Sequence, residues 1–242
     1  MTRGATGAIL QGGIIAAGSG SRLRAEGSRV SKPMVAVAGR PLIEHALDRL
    51  RAAGIRRLTI IINEASDDCR RWLEDRAGDL QLDLIVRTTP SSYASFRLVA
   101  DRLAGARAVI TTVDAIMATA DFCGFVSQMA ALPEDMMVLG VTDLVDDEKP
   151  LWVALDPAQG SIRRLGGDRG SHVTAGVYGL PAHRLREPAG GCDRLRDYLG
   201  WLLEHGQRMS GILLPRVYDI DRMRDIAAAE QSAAAHGVGR PR

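Results

Sequence analysis

The chain is poor in the residues that mark disulfide frameworks, zinc clusters and nucleic-acid platforms. Three cysteines, Cys69, Cys123 and Cys192, stand among 242 residues, and none forms a C-x-x-C pair. An odd count without paired spacing argues against a disulfide framework and for a reducing cytoplasm. The five histidines contain no H-E-x-x-H, so each reads as a surface or structural residue. Aromatic residues are only 4%, and 31 lysines and arginines meet 29 acids for a net charge of +2. Neither base-stacking surface nor basic patch is expected, so nucleic acid is not a partner. No apolar run approaches the roughly 18 residues needed to span a bilayer. Ala8–Leu10 with Gly13–Ala17 has the look of a secretory apolar region, but Gln11 and paired glycines interrupt it. A cytoplasmic protein without membrane attachment is the expectation; nothing in the sequence speaks to oligomeric state.

What is present is an ordinary globular composition, 46% hydrophobic and 25% charged, in a length suited to one large α/β domain. Short apolar runs at 13–17, 58–62, 82–86 and 108–113 read as buried strands. Helical spacing joins Leu42, Ile43, Ala46, Leu47 and Leu50, with Pro41 at the start and Gly54 as the stop. Residues 65–77 and 95–103 read as further helices. Strand and helix alternate over short connections, which predicts an α/β, three-layer domain with a mostly parallel central sheet. The second half is less regular. Strands are expected at 136–141, 151–155, 173–178 and 212–220, helices at 192–205 and 221–230. The domain is expected over 1–232, with 233–242 a frayed tail.

A glycine loop, Gly18-Ser19-Gly20-Ser21-Arg22-Leu23, follows the first strand directly. Such a loop brings backbone N–H groups close to an anion, or is simply a tight turn into a helix. It is neither a Walker A loop, lacking the lysine after the second glycine, nor a dinucleotide fingerprint, since the third glycine position is Leu23. Lys32-Pro33-Met34-Val35-Ala36-Val37-Ala38-Gly39-Arg40-Pro41-Leu42-Ile43-Glu44-His45 comes next, then Ala52-Ala53-Gly54-Ile55. Together, residues 13–62 resemble the N-terminal signature of the nucleotidyltransferases, in particular the sugar-1-phosphate members. The resemblance implies a Rossmann-like, nucleotide-diphospho-sugar-transferase-like fold. It also implies Mg²⁺ as cofactor, and an NTP and a phosphorylated small molecule as substrates. In that frame Ala17, Gly18, Ser19, Gly20 and Ser21 would wrap the triphosphate. Arg22 and Lys32 would be catalytic, neutralising phosphate charge as pyrophosphate leaves.

The apolar run Val109–Val113 ends in Asp114, an acid at the carboxyl end of a strand and so at the ligand edge of a parallel sheet. The resemblance makes Asp114 catalytic and a metal ligand, although the family's preceding glycine is Val113. Val217-Tyr218-Asp219-Ile220-Asp221 resembles the family's late carboxylate, with Asp219 the metal candidate and one of Asp219 and Asp221 open as a helix cap. Ser92 and Ser95 occupy the place of the base-recognition loop, where they either contact nucleotide or belong to the cap of the following helix. His172–Tyr178 resembles the acceptor-lining strand, with Thr174, Ala175 and Gly176 as acceptor-binding residues. Arg163, Arg164 or Arg169 are candidates for acceptor-phosphate charge. The lysine of Asp147-Glu148-Lys149-Pro150 precedes the hairpin rather than following it, so no role is carried over. The function expected is NMP transfer to a sugar 1-phosphate. A cytidylyltransferase for an alcohol phosphate such as phosphocholine, a molybdenum-cofactor guanylyltransferase and a non-catalytic regulatory nucleotide binder are the alternatives.

Overall fold

The computed structural model describes residues 11–76, 78–145 and 149–235, with backbone alone for 232–235. Ala8–Leu10, Asp147, Glu148 and the tail from 236 onward lie outside the described residues. In chain order the first half runs β1 (Gln11–Ala16), α1 (Ser21–Ala25), a 3₁₀ turn (Lys32–Met34), β2 (Ala36–Val37), β3 (Arg40–Pro41) and α2 (Leu42–Ala52). It continues through β4 (Arg57–Ile62), α3 (Asp67–Arg76), β5 (Gln81–Val86), α4 (Ser92–Leu103) and β6 (Ala108–Thr112). The second half holds β7 (Ala115–Met117), α5 (Thr119–Ala131), β8 (Met137–Thr142), β9 (Trp152–Leu155), β10 (Ile162–Leu165) and β11 (His172–Leu180). It ends with α6 (Leu195–Glu204), β12 (Met209–Leu213), β13 (Val217–Asp219) and α7 (Met223–Ala235).

The central sheet is ordered β5-β4-β1-β6-β11-β8-β12, and only β11 runs against the rest. The hairpin β9–β10 pairs with the start of β11. This is the mostly parallel α/β sheet expected. Its strands are apolar on both sides because both faces are covered. Ile14, Ile60, Ile62, Val109 and Val138 point into one core with Leu47, Leu50, Phe122 and Phe125. Their neighbours Ile61, Ile110, Leu139 and Val141 point into a second core with Phe96, Val99, Tyr198 and Leu199. Helices α2, α3, α5 and α7 therefore cover one face, and α4 and α6 the other.

Helix α2 buries the five residues picked out by spacing, Leu42, Ile43, Ala46, Leu47 and Leu50. It closes at Gly54 with the paired bonds of a Schellman turn, Gly54 N–H to Arg51 and Ile55 N–H to Leu50. Pro41 stands one step outside the helix, as its N-cap. The strand expected over 212–220 is two strands in different sheets. β12 pairs with β8, whereas β13 pairs with β7 in a separate ribbon. Pro215 lies between them and has no N–H to continue a ladder.

Candidate active site

Parallel strands β1, β4, β5 and β6 all release their chains at one edge of the sheet, which is where an α/β sheet gathers ligand groups. There the loop after β1 is tied down by Asn63, whose side-chain amide donates to the Ala17 carbonyl over 3.2 Å. Ala17 is buried, whereas Gly18, Ser19 and Ser21 are exposed. Gly20 caps α1 at φ 61°, and a Cβ on it would lie 2.9 Å from the Lys32 Cβ. Glycine is required twice over, for the left-handed backbone and for the closeness of Lys32. The approach to Lys32 is held from α3, where Asp68 accepts from the Ser31 N–H at 2.8 Å.

Lys32 is the hub of the site. Its side chain is only 9% exposed, and its Nζ donates to Asp114 Oδ2 and to Asp221 Oδ1, each at 2.5 Å. Arg22 donates to the other oxygen of Asp221 at 2.9 Å. Burial opposes the ammonium charge, but Asp114, Asp221 and Asp219 together overcome it and lift Lys32 above the ordinary lysine range. Burial likewise opposes the Asp114 carboxylate, and Lys32 with the Thr112 hydroxyl outweighs it, so Asp114 titrates below the usual range. Asp221, weighed from sequence only as the other possible late carboxylate or a cap, thus joins the two expected cations. The Asp221 carboxylate is engaged by Lys32 and Arg22. Asp225, in the first turn, reaches back to accept from the N–H groups of Asp221 and Arg222. The signal was available in the acid three residues inside the helix.

Asp114 faces two ways. Besides Lys32 it meets a cavity of about 340 Å³ whose wall also carries Asp219, Thr112, Thr174, Ala175 and Gly176. The structure therefore brings the three expected acceptor residues and both expected metal carboxylates to one cavity. Among the described residues no three or more His, Cys, Asp or Glu side chains form a metal cluster. Two carboxylates facing open space nevertheless suit Mg²⁺, which binds few protein oxygens and completes its shell with phosphate and water.

Gly176 behaves differently from the expectation. Its backbone has φ 68°, and a Cβ there would sit 2.5 Å from Thr112 Oγ1 and 3.1 Å from Ala115 Cβ. The close approach it permits is to the strand leading to Asp114, as well as to the cavity. Ser92 lines the cavity, but its Oγ accepts from the Leu195 N–H and so anchors α6. Ser95 is buried against Thr89 and the Ser91 carbonyl, away from the cavity wall. Ser91 is the cap of α4, accepting from the Ala94 N–H. Arg163 is paired with Asp156, and Arg164 bonds the Arg169 carbonyl. None of Arg163, Arg164 and Arg169 reaches the cavity wall, because all three lie on or beside the β9–β10 hairpin. The arginines that do reach it are Arg194 and Arg196, at the start of α6. Sequence spacing offered no signal for them.

A family model for the MobA-like NTP transferase domain matches residues 12–179, a stretch that contains the glycine loop, Lys32, Asp114 and the acceptor strand. The chain belongs to this family. A related NTP transferase fold is seen in the inositol-1-phosphate CTP transferase of T. maritima, with a TM-score of 0.77 and 20% identity, covering 97% of this chain and 99% of that one. Among characterised relatives, the CMP-5'-(3-aminopropyl)phosphonate synthase of Streptomyces rubellomurinus is 30% identical over 86 residues, 36% of this chain and 14% of that protein. The glucose-1-phosphate thymidylyltransferase of Streptomyces antibioticus is 31% identical over 93 residues, 38% of this chain and 26% of that protein. Only a minor part of each relative's length is therefore matched.

Proposed function

We propose that this NTP transferase domain transfers NMP from an NTP to a phosphorylated small molecule, most simply a sugar 1-phosphate, with release of pyrophosphate. The observation that carries the reading is the double engagement of Asp114, which joins the Lys32 centre beside the glycine loop to the cavity holding Thr174–Gly176. Nucleotide phosphates would lie along residues 17–21, with Arg22 and Lys32 as counter-charges, and the acceptor would enter the cavity. An acceptor phosphate oxygen then attacks the α-phosphorus. The bond from that phosphorus to its bridging oxygen breaks, and pyrophosphate leaves with the electron pair. The acceptor is already anionic, so no protein base is needed. Positioning and charge neutralisation by Arg22 and Lys32 do the work. Mg²⁺, held by Asp114 and Asp219, would supply further neutralisation of phosphate oxygens. Asp221 would hold Arg22 and Lys32 in place. The three free cysteines accord with a reducing cytoplasm.

A second reading, cytidylyl transfer to an alcohol phosphate or phosphonate, draws on the similarity to the aminopropylphosphonate synthase. Pyrophosphate release from four NTPs against sugar 1-phosphates, phosphocholine and phosphonates separates the two. Lys32→Met and Asp114→Asn are expected to lower turnover roughly 10²–10³-fold, the scale of losing one electrostatic contact to a reacting phosphate. NTP binding without turnover on any acceptor would favour a regulatory protein, and absence of NTP binding would overturn both readings. Asp219→Asn is expected to raise the Mg²⁺ requirement more than Asp221→Asn. The reverse order would exchange their roles.

A further inference from the structure

The acceptor cavity has a polarity that a neutral sugar does not require. Its only described carboxylates, Asp114 and Asp219, stand at the end nearest Lys32. Asparagine, glutamine and glutamate, the usual partners of sugar hydroxyls, are absent from its described wall. Two of its hydroxyls each accept a backbone N–H, Ser92 from Leu195 and Thr142 from Leu144. The start of α6 instead contributes two arginines. Arg196 spends one guanidinium N–H on the Lys149 carbonyl at 2.7 Å, which leaves the remaining donors of a five-donor group. Arg194 is exposed, in extended backbone, and its side chain has no hydrogen bond or ion pair with any described residue. Half of the other described arginines are held in ion pairs, among them Arg97–Asp101, Arg102–Asp83 and Arg208–Asp135, and neither cavity arginine is.

We propose that the acceptor carries a second anionic group, remote from the phosphate that attacks, and that Arg194 with Arg196 binds it. The proposal rests on the transferase reading above and narrows its substrate class to phosphorylated acids or bisphosphates. A planar guanidinium fork matches a carboxylate or a phosphate in two parallel bonds, so either anion satisfies the site. A substrate held at both ends, by the Lys32 centre and by Arg194, would be fixed along the cavity with its reacting phosphate beside Asp114. Arg194 is a binding residue in this account and takes no part in bond making.

Matched acceptors test the idea. Glucose 1-phosphate, glucuronate 1-phosphate and glucose 1,6-bisphosphate share one ring, as do glycerol 3-phosphate and 3-phosphoglycerate a three-carbon chain. Pyrophosphate release is expected with a KM at least tenfold lower for the acidic or bisphosphorylated member than for its neutral twin. Preference for the carboxylate or for the second phosphate identifies which anion the site takes. Arg194→Gln should raise KM for the acidic member at least tenfold, erase most of its preference over the neutral twin, and be partly rescued by Arg194→Lys. Turnover of both twins with equal KM, or a preference untouched by Arg194→Gln, would overturn the proposal while leaving the transferase reading intact. Isothermal titration of the same twins against Asp114→Asn protein with NTP reads the preference independently of turnover, and equal affinity there overturns it as well.

Discussion

At the scale of single residues, two backbone conformations control the site. Gly20 admits Lys32 because it has no Cβ, and a Gly20→Ala protein must both strain its φ of 61° and push Lys32 away. Pyrophosphate release by that variant is expected to fall at least tenfold with little change in far-ultraviolet circular dichroism; wild-type turnover would show that the loop tolerates the shift. Ala38 is the one positive-φ residue among the described residues that is not glycine, at φ 51° in the turn between β2 and β3. Left-handed backbone costs an L-residue about 1–2 kcal/mol, and asparagine bears it better than alanine. Ala38→Asn should therefore raise stability by about 1 kcal/mol, read as a higher urea midpoint at unchanged slope. An unchanged or lower midpoint would refute the strain argument. Arg22 and Lys32 stood out by their spacing within one contiguous motif, and Asp114 as the acid that ends a separate apolar strand. The pairing of Asp221 with Lys32 was not, because it joins residues 189 apart in the chain.

At the scale of elements, the hairpin β2–β3 is docked on α2 by His45, whose Nε2 lies 2.9 Å from the Val37 carbonyl. A neutral ring donates this bond. Burial, with Arg40 and Arg49 nearby, holds the imidazole below its usual pKa. The unfolded chain then binds a proton more readily than the folded one. This contribution is fully present above about pH 6.5 and is lost as pH falls through the depressed folded value. Urea midpoints are expected to drop between pH 7.5 and 5.5, and His45→Gln should flatten that slope. A slope that persists in the variant would assign it to other groups. Elements with strong local signatures, β1, α2, β4, β5 and β6, were readable because their apolar spacing or glycine stops are written locally. Helix α5 and hairpin strand β10 had no reading. The exposed Arg163 and Arg164 break the apolar character of β10.

At the scale of the whole molecule, one sheet serves two cores, so neither core is complete without the strands of the other. Phe96 lies in the α4–α6 core and Phe125 in the α2–α5 core, both fully buried. Phe96→Ala and Phe125→Ala should each cost about 3–5 kcal/mol and should move a single unfolding transition. Two separable transitions would mean that the faces unfold independently. Cys69, on the buried side of α3 with its thiol pushed up to about 12 by burial and the adjacent Asp68 charge, offers a second probe. It should resist alkylation until that transition, and fast labelling of the native protein would show local opening instead.

The family and the strand–helix alternation were decided along the chain, because phosphate-binding loops and amphipathic helices depend on neighbours within about ten residues. Folding decided which side chains meet. It set the sequence-distant Asp221 against Lys32, turned Ser95 inward and left Arg163, Arg164 and Arg169 off the cavity wall. It also brought Arg194, the extended residue just before α6, to the cavity wall without any motif to mark it. Charge recognition acts through space over a few ångströms, and the separation of two residues along the chain says little about that distance until the sheet has been assembled.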